Sequence, residues 1–186
     1  MCEQAWERQL ACAVAETGRQ PALLLVAGSA GMGKSTLVQR LLESPQAQAV
    51  TRLVVSFQAS GGIVVITDPV ATDPRADAHE LLEASLASIR PVLLVVEDIH
   101  HADVRCLQLL QRLLAEPPDR FAAVLTYRPE QLAKRGLPLG RAVDYPSRLS
   151  VMRWALGPLD EHQVRGIAGE LLGAERCPRE FVARLR

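Results

Sequence analysis

The chain has 186 residues, which is enough for one α/β domain with a full apolar core and a small appendage. Lysine plus arginine and aspartate plus glutamate are balanced at 21 each, so the overall charge gives no reason to expect nucleic acid or an anionic membrane as a partner. The four cysteines have no C-x-x-C spacing, and no segment has the composition of a signal peptide or a membrane span. We therefore expect a soluble cytoplasmic protein with free thiols.

The first predicted elements are a helix, a strand, a loop and a second helix. Residues 3–17 carry apolar side chains at helical spacing. An apolar run, Leu23 to Ala27, then ends in Gly28-Ser29-Ala30-Gly31-Met32-Gly33-Lys34-Ser35-Thr36, which fits the pattern G-x-x-x-x-G-K-[ST] at every specified position. This pattern predicts a loop whose backbone N–H groups surround a phosphate and a helix whose N-terminus adds its positive dipole end.

Two side chains of this motif have expected roles. Lys34 would reach the β and γ phosphates, and the Ser35 hydroxyl would be a ligand of Mg²⁺, which prefers oxygen. A plain glycine-rich turn is the alternative, and the apolar strand before the loop favours the phosphate site.

The middle of the chain is less regular. The helix after the loop is expected to end at Ser44-Pro45, and residues 52–57 predict a second strand. Residues 61–68 fit a further strand, a hairpin partner or a buried loop, and we take them as a strand. A helix is predicted from Pro74 to Ile89.

Residues 92–96 form a continuous apolar run, typical of a strand that is buried on both faces, and it ends in Glu97-Asp98. One of these acids would hold the Mg²⁺ shell and the other would take a proton from the attacking water. Adjacent strand residues point to opposite sides, so the sequence does not decide which acid faces the metal. The alternative is a charged strand end in solvent. Asp103 is predicted to cap a helix over residues 104–116.

The next buried strand, residues 121–126, leads to Tyr127-Arg128. Arg128 would sense or stabilise the charge of the γ-phosphate, and a surface arginine at a strand end is an equally weighted alternative. A loop with one helical turn at 130–135 fills residues 129–147, and a strand is expected over 148–156. Helices are predicted over 161–172, capped by Asp160, and from Pro178 onward.

Four segments together resemble the AAA-type ATPase module of the STAND class, and in particular the large ATP-binding LuxR-type transcriptional regulators of bacteria; they are AGSAGMGKSTL, LLVVEDIHHADVRCLQLL, LTYRPEQL and WALGPLDEHQVRGIAGELL. The resemblance spans residues 8–172 and implies a P-loop NTPase three-layer α/β sandwich with a mainly parallel five-stranded sheet in the order 5-1-4-3-2. It implies a core over 1–158 and the beginning of an incomplete helical lid over 159–186.

The same resemblance assigns roles to individual residues. Lys34 and Ser35 take the phosphate and magnesium roles, Glu97 and Asp98 form the second acidic motif, and Arg128 occupies the first sensor position. Pro158 matches a proline that packs near the adenine. The sequence departs from the family at His101, where tryptophan is usual, and over residues 59–75, which are short and unlike the usual helical connection. It also ends before the lid is complete and has no sensor repeats or helix-turn-helix.

We therefore expect a regulatory ATPase that binds Mg·ATP or ADP, hydrolyses ATP slowly and acts as a nucleotide-dependent switch in transcription regulation or signalling. Its partners would be the nucleotide and a protein or further domains, with no direct nucleic-acid site and no membrane. A non-hydrolysing nucleotide-binding module is one alternative. A small-molecule phosphotransferase is less favoured, because no second substrate site is visible unless residues 129–147 contain it. The sequence has no N-K-x-D motif, which favours adenine over guanine only weakly.

Overall fold

The computed structural model describes residues 2–14, 20–60, 63–67, 79–80, 83, 86, 93–132 and 145–158. The strands are β1 Ala22–Ala27, β2 Arg52–Phe57, β3 Ile63–Thr67, β4 Leu93–Glu97, β5 Ala122–Tyr127 and β6 Ser150–Ala155. The helices are α1 Cys2–Val14, α2 Lys34–Leu42, α3 Pro45–Gln48, α4 Val104–Ala115 and α5 Pro129–Leu132, with a 3₁₀ turn at Ile99–His101.

The six strands form one sheet in the order β3-β2-β4-β5-β1-β6. Every neighbouring pair is parallel except β2 and β3, which are antiparallel. The five parallel strands, numbered along the chain, therefore follow the predicted order 5-1-4-3-2, which is confirmed. The sheet has one strand more than the five predicted, because β3 pairs with β2 as a hairpin partner at the edge.

Apolar side chains alternate between the two faces of the central strands and so build two cores. In β1, Leu23 and Leu25 face the core that α4 covers. Leu24 and Val26 face the core that α1, α2 and α3 cover. Helices therefore cover both faces of the sheet, and the predicted three-layer sandwich is confirmed.

Side-chain caps mark the start of α4 and the boundary between α2 and α3. The Asp103 carboxylate accepts a hydrogen bond from the Cys106 N–H at 2.6 Å, so it caps α4 as predicted. After α2, the Ser44 hydroxyl accepts from the Ala47 N–H at 3.3 Å and donates to the Leu41 carbonyl at 2.7 Å. The helix thus ends where it was predicted to end, but the proline that follows begins the short helix α3, since proline suits a first helical position.

Met1–Leu156 form one compact unit and Gly157–Arg186 form a second. The predicted helices over 161–172 and from 178 lie outside the described residues, as do residues 133–144 of the predicted loop and most of the predicted helix over 74–89. Residues 79, 80, 83 and 86 of that last helix are helical. In the part of the chain that the structure describes, none of the helices has the length and apolar character to cross a membrane.

Candidate nucleotide site

The loop between β1 and α2 depends on glycine for two different physical reasons. Gly31 and Gly33 have φ values of 76° and 78°, a conformation that strains residues with a Cβ, although a Cβ at either position would meet no atom within 4 Å. At Gly28 the limit is crowding, because a Cβ there would lie 3.2 Å from both the Cβ and the carbonyl oxygen of Leu156. The loop therefore bends sharply and leaves open space beside its two left-handed glycines.

The side chain of Lys34 hydrogen-bonds to the backbone of this loop. Its side chain is buried, and its Nζ donates hydrogen bonds to the carbonyl oxygens of Gly28 at 2.8 Å and Ser29 at 2.9 Å. Burial lowers the pKa of Lys34 from its ordinary value of 10.5, while the nearby Asp98 carboxylate opposes this shift by favouring the charged form. The ammonium group thus lies inside the loop and within electrostatic reach of an acid.

The backbone N–H groups at the turn are available to an anion. The structure records no hydrogen bond from the N–H of Gly31 or Gly33 to any residue that it describes. Gly33 is the N-cap of α2, and its carbonyl accepts the first bond of that helix, from the Leu37 N–H at 2.9 Å. Free N–H groups at a helix N-terminus are the usual donors to phosphate oxygens.

Glu97 and Ser35 lie on the same side of the sheet. Leu93 and Val95 belong to the core that α2 covers, and by strand alternation Glu97 faces the same way. Both Glu97 and Ser35 line a cavity of about 420 Å³ between α2, β2 and β4, together with Val38, Gln39, Leu42, Arg52 and Val54. The structure therefore brings one acid of the pair together with the α2 hydroxyl.

Asp98 leaves the strand and forms a turn. Its φ of 54° is left-handed, which aspartate tolerates better than most residues. Its N–H donates to the Thr126 Oγ1 at 2.9 Å, and its carbonyl accepts from the His101 N–H at 2.8 Å. The backbone of the second acid thus lies beside the end of β5, directly after Glu97 and at the start of the turn.

Arg128 follows β5 directly and is half-buried. Its N–H donates to the Nδ1 of His100 at 3.4 Å, and its carbonyl accepts from the N–H groups of Gln131 and Leu132. Its side-chain Nε is buried and has no hydrogen-bond partner among the described residues. Buried guanidinium N–H groups are normally hydrogen-bonded, so this atom can donate to a group outside the described residues.

Sequence reasoning missed Thr126 and His100 as parts of this site. The buried polar side chains of the described residues are Lys34, Ser44, His100 and Thr126, and all but Ser44 lie at this edge of the sheet. Burial, and then the neighbouring His101, lower the pKa of His100 from 6.5 to about 4, so its ring is neutral near pH 7. Thr126 was detectable as the polar residue that ends the apolar run FAAVLT.

The structure assigns no contact with a nucleotide to His101 or to Pro158. His101, at the position where the resembling family has tryptophan, packs its ring at 4.1 Å from the ring centre of His100. Pro158 is exposed and belongs to the second unit, so its place beside the adenine stays a prediction.

The glycine-rich loop follows β1, the acid pair lies at the end of β4, and the arginine follows β5. These strands are parallel neighbours, and this arrangement defines a P-loop NTPase fold. A family model described as AAA domain matches residues 17–135 and so covers most of the chain, including the loop, Glu97, Asp98 and Arg128. The chain belongs to this AAA domain family.

Solved structures agree on the fold. A RuvB variant from Thermotoga maritima has a TM-score of 0.51 at 19% identity over 91% of this chain and 51% of that one. A DNA replication initiation factor has a TM-score of 0.51 at 15% identity, covering 97% and 54%. A STAND protein with a tetratricopeptide repeat sensor from Pyrococcus horikoshii has a TM-score of 0.48 at 14% identity, covering 96% and 26%, which is too low to add to the argument.

The chain spans about half the length of the first structures that it matches, and at these identities they show the fold alone. No curated protein matches the sequence.

Proposed function

We propose that this chain is a nucleotide-dependent regulatory ATPase. Mg·ATP binds at Gly28–Thr36, hydrolysis is slow, and the nucleotide state changes how the following unit or a partner domain docks. Membership of the AAA domain family supports the nucleotide. The setting in transcription regulation or signalling is supported only by the motif resemblance to the large LuxR-type regulators.

The observation that carries the proposal is the set of unmatched donors at one edge of the sheet. Among the described residues, the buried Arg128 Nε has no acceptor and the N–H groups of Gly31 and Gly33 form no hydrogen bond. The buried ammonium of Lys34 lies in the same loop. A buried guanidinium N–H is normally paired, and a polyphosphate would supply acceptors to it, to the two exposed glycine N–H groups and to the ammonium of Lys34.

The residues present also fit a magnesium ion. Ser35 and Glu97 line one cavity wall and offer the oxygen ligands that Mg²⁺ prefers. The described residues contain no group of three or more histidine, cysteine or carboxylate side chains that could hold a metal by themselves. This suits an ion that takes most of its ligands from phosphate and water. When bound, Mg²⁺ would neutralise charge on the phosphate oxygens.

The other predicted site residues would then each have a role in nucleotide binding or hydrolysis. Lys34 would exchange the carbonyls of Gly28 and Ser29 for phosphate oxygens, at little cost because its ammonium is already in the loop. Asp98 would accept the proton of the attacking water, and Arg128 would stabilise charge on the γ-phosphate. Pro158 would pack near the adenine. Slow turnover is expected, because Arg128 is the single arginine that we assign to the γ-phosphate.

The test is calorimetric titration with ATP, ADP and GTP, with and without Mg²⁺, followed by measurement of phosphate release. We expect ATP and ADP to bind and ATP to be hydrolysed slowly, and Asp98→Ala to abolish release while it preserves binding. Binding without release in the wild type, unchanged by Asp98→Ala, would indicate the non-hydrolysing module. The absence of nucleotide binding would overturn both functions.

One observation favours a second candidate, phosphoryl transfer to a small molecule. The cavity lined by Ser35 and Glu97, of about 420 Å³, has the size of a small-molecule site and lies outside residues 129–147. Product analysis with γ-labelled ATP and candidate hydroxyl acceptors tests it. Val54→Trp, which narrows the cavity, would abolish transfer but leave ATP binding in the absence of Mg²⁺ intact. Label found only in inorganic phosphate would exclude this candidate.

A further inference from the structure

The turn after β4 is joined to the end of β5 by side chains where the backbone pairing stops. The parallel register between β4 and β5 ends at Val96 and Leu125. Beyond it, the Asp98 N–H donates to the Thr126 hydroxyl at 2.9 Å, and the Arg128 N–H donates to the His100 Nδ1 at 3.4 Å. The side chains of Thr126 and His100 thus join the two chain segments beyond the point where the backbone hydrogen bonds between β4 and β5 end.

A histidine is energetically unfavourable at this buried position after β4. Its side chain is fully buried, and because Nδ1 accepts a hydrogen bond, the ring proton lies on Nε2. Nε2 has no hydrogen-bond partner in the described part of the chain. An apolar side chain of similar size would avoid a buried unpaired donor, so packing alone gives no reason for a histidine.

The position of the ring gives a reason. His100 lies within electrostatic reach of Lys34, Asp98 and Arg128, and its Nδ1 is 3.9 Å from the nearer Asp98 carboxylate oxygen. That distance is too long for a hydrogen bond, which leaves the backbone of Arg128 as the ring's directional contact. The ring therefore holds the backbone at Arg128 at a point close to both an acid and a cation.

We propose that His100 is a positioning residue: its Nδ1 fixes the backbone at Arg128 relative to the Asp98 turn, so that the γ-phosphate arginine and the proton-accepting acid keep one geometry. This inference rests on the proposed function, which gives Asp98 and Arg128 those roles. His100 itself touches neither nucleotide nor water in the reaction.

Three substitutions separate the two ring nitrogens. Asparagine places an acceptor where Nδ1 lies, glutamine places its polar atoms where Nε2 lies, and leucine supplies neither. We expect kcat for phosphate release to fall roughly three- to tenfold in His100→Leu and His100→Gln, as for the loss of one hydrogen bond, while KM for ATP changes less than twofold. His100→Asn should retain at least half of the wild-type kcat.

Thermal unfolding separates positioning from packing. His100→Leu removes the buried Nε2 donor, which has no partner among the described residues, but it also leaves the Arg128 N–H without its acceptor. These two effects oppose each other, so its Tm should stay close to that of the wild type even though its kcat is lower. A variant series in which kcat follows Tm, or in which His100→Asn is as slow as His100→Leu, would overturn the proposal.

Amide hydrogen exchange gives a readout that does not need hydrolysis. In the nucleotide-free protein, the Arg128 N–H should be protected in the wild type and His100→Asn, and should exchange faster in the leucine and glutamine variants. Equal protection in all four proteins would refute positioning by His100. A wild type that releases no phosphate would instead refute the proposed ATPase, and the exchange rates would still decide on His100.

Discussion

Lys34→Met is the sharpest perturbation of the proposed nucleotide site. Methionine keeps most of the length of the lysine and removes the ammonium, which donates to the carbonyls of Gly28 and Ser29. In the free protein this loses two hydrogen bonds but also removes a buried charge whose pKa burial lowers. These effects oppose each other, so we expect the Tm without nucleotide to change little.

The loss should appear when ATP is present. At an ATP concentration of one hundred times Kd, binding stabilises the wild type by about 2.7 kcal/mol. For a chain of this length that raises Tm by roughly 5–10 °C. Charged hydrogen bonds to phosphate are worth about 1.5–3 kcal/mol, so losing them weakens binding roughly 10- to 100-fold. A hundredfold loss leaves about 0.4 kcal/mol of stabilisation, a shift of about 1 °C.

Differential scanning fluorimetry with fixed Mg²⁺ and increasing ATP measures these shifts. Arg40→Met is the matched control, because Arg40 is an exposed cation in the last turn of the same helix and should leave the ATP shift intact. An ATP-dependent shift in Lys34→Met equal to that of the wild type would refute the assignment of this loop to phosphate.

Three further predictions concern the geometry around that loop. Gly33→Ala should lower the free energy of unfolding in urea by about 1–2 kcal/mol because its φ is 78°, whereas alanine at Gly157, which lacks a positive φ, should change it little. Thr126→Val should slow phosphate release and lower stability by about 1–3 kcal/mol because the Asp98 N–H loses its acceptor, and Thr126→Ser should do neither. Burial lowers the pKa of His100 to about 4, so the unfolded chain binds more protons between pH 4 and 6.5. The free energy of unfolding should therefore rise across that range, by up to about 3 kcal/mol, and level off above it, and subtracting the His100→Leu profile should isolate this term.

Local patterns predicted most of the fold. The phosphate motif after an apolar strand, the aspartate cap of α4 and the order of the parallel strands all follow from short stretches of sequence or from the family resemblance. The hairpin at the sheet edge is one of three structures that the sequence allows, because residues 61–68 have strand composition without a signal for their partner. The short helix α3 is not predicted, because Ser44-Pro45 indicates only the end of the preceding helix.

The polar contacts of the site could not be predicted in the same way. The bonds from Asp98 to Thr126 and from Arg128 to His100 each join residues 28 positions apart, and they exist only because β4 and β5 are neighbours. Which of the two acids shares a face with Ser35 also depends on the fold. Strand alternation places Glu97 with Leu93 and Val95, but only the packing shows that α2 and its Ser35 cover that face.

The phosphate loop and the pair formed by Asp98 and Arg128 are therefore held by different kinds of contact. The loop at Gly28–Thr36 uses backbone geometry and one buried ammonium, whereas the acid and the arginine are connected through the side chains of Thr126 and His100. Changes in the loop should act on nucleotide affinity, because they alter groups that would contact phosphate in every bound state. Changes at Thr126 or His100 should act on turnover, because they alter only the relation between the acid and the arginine. A single substitution at either of these two positions that lowered affinity and turnover equally would contradict this division.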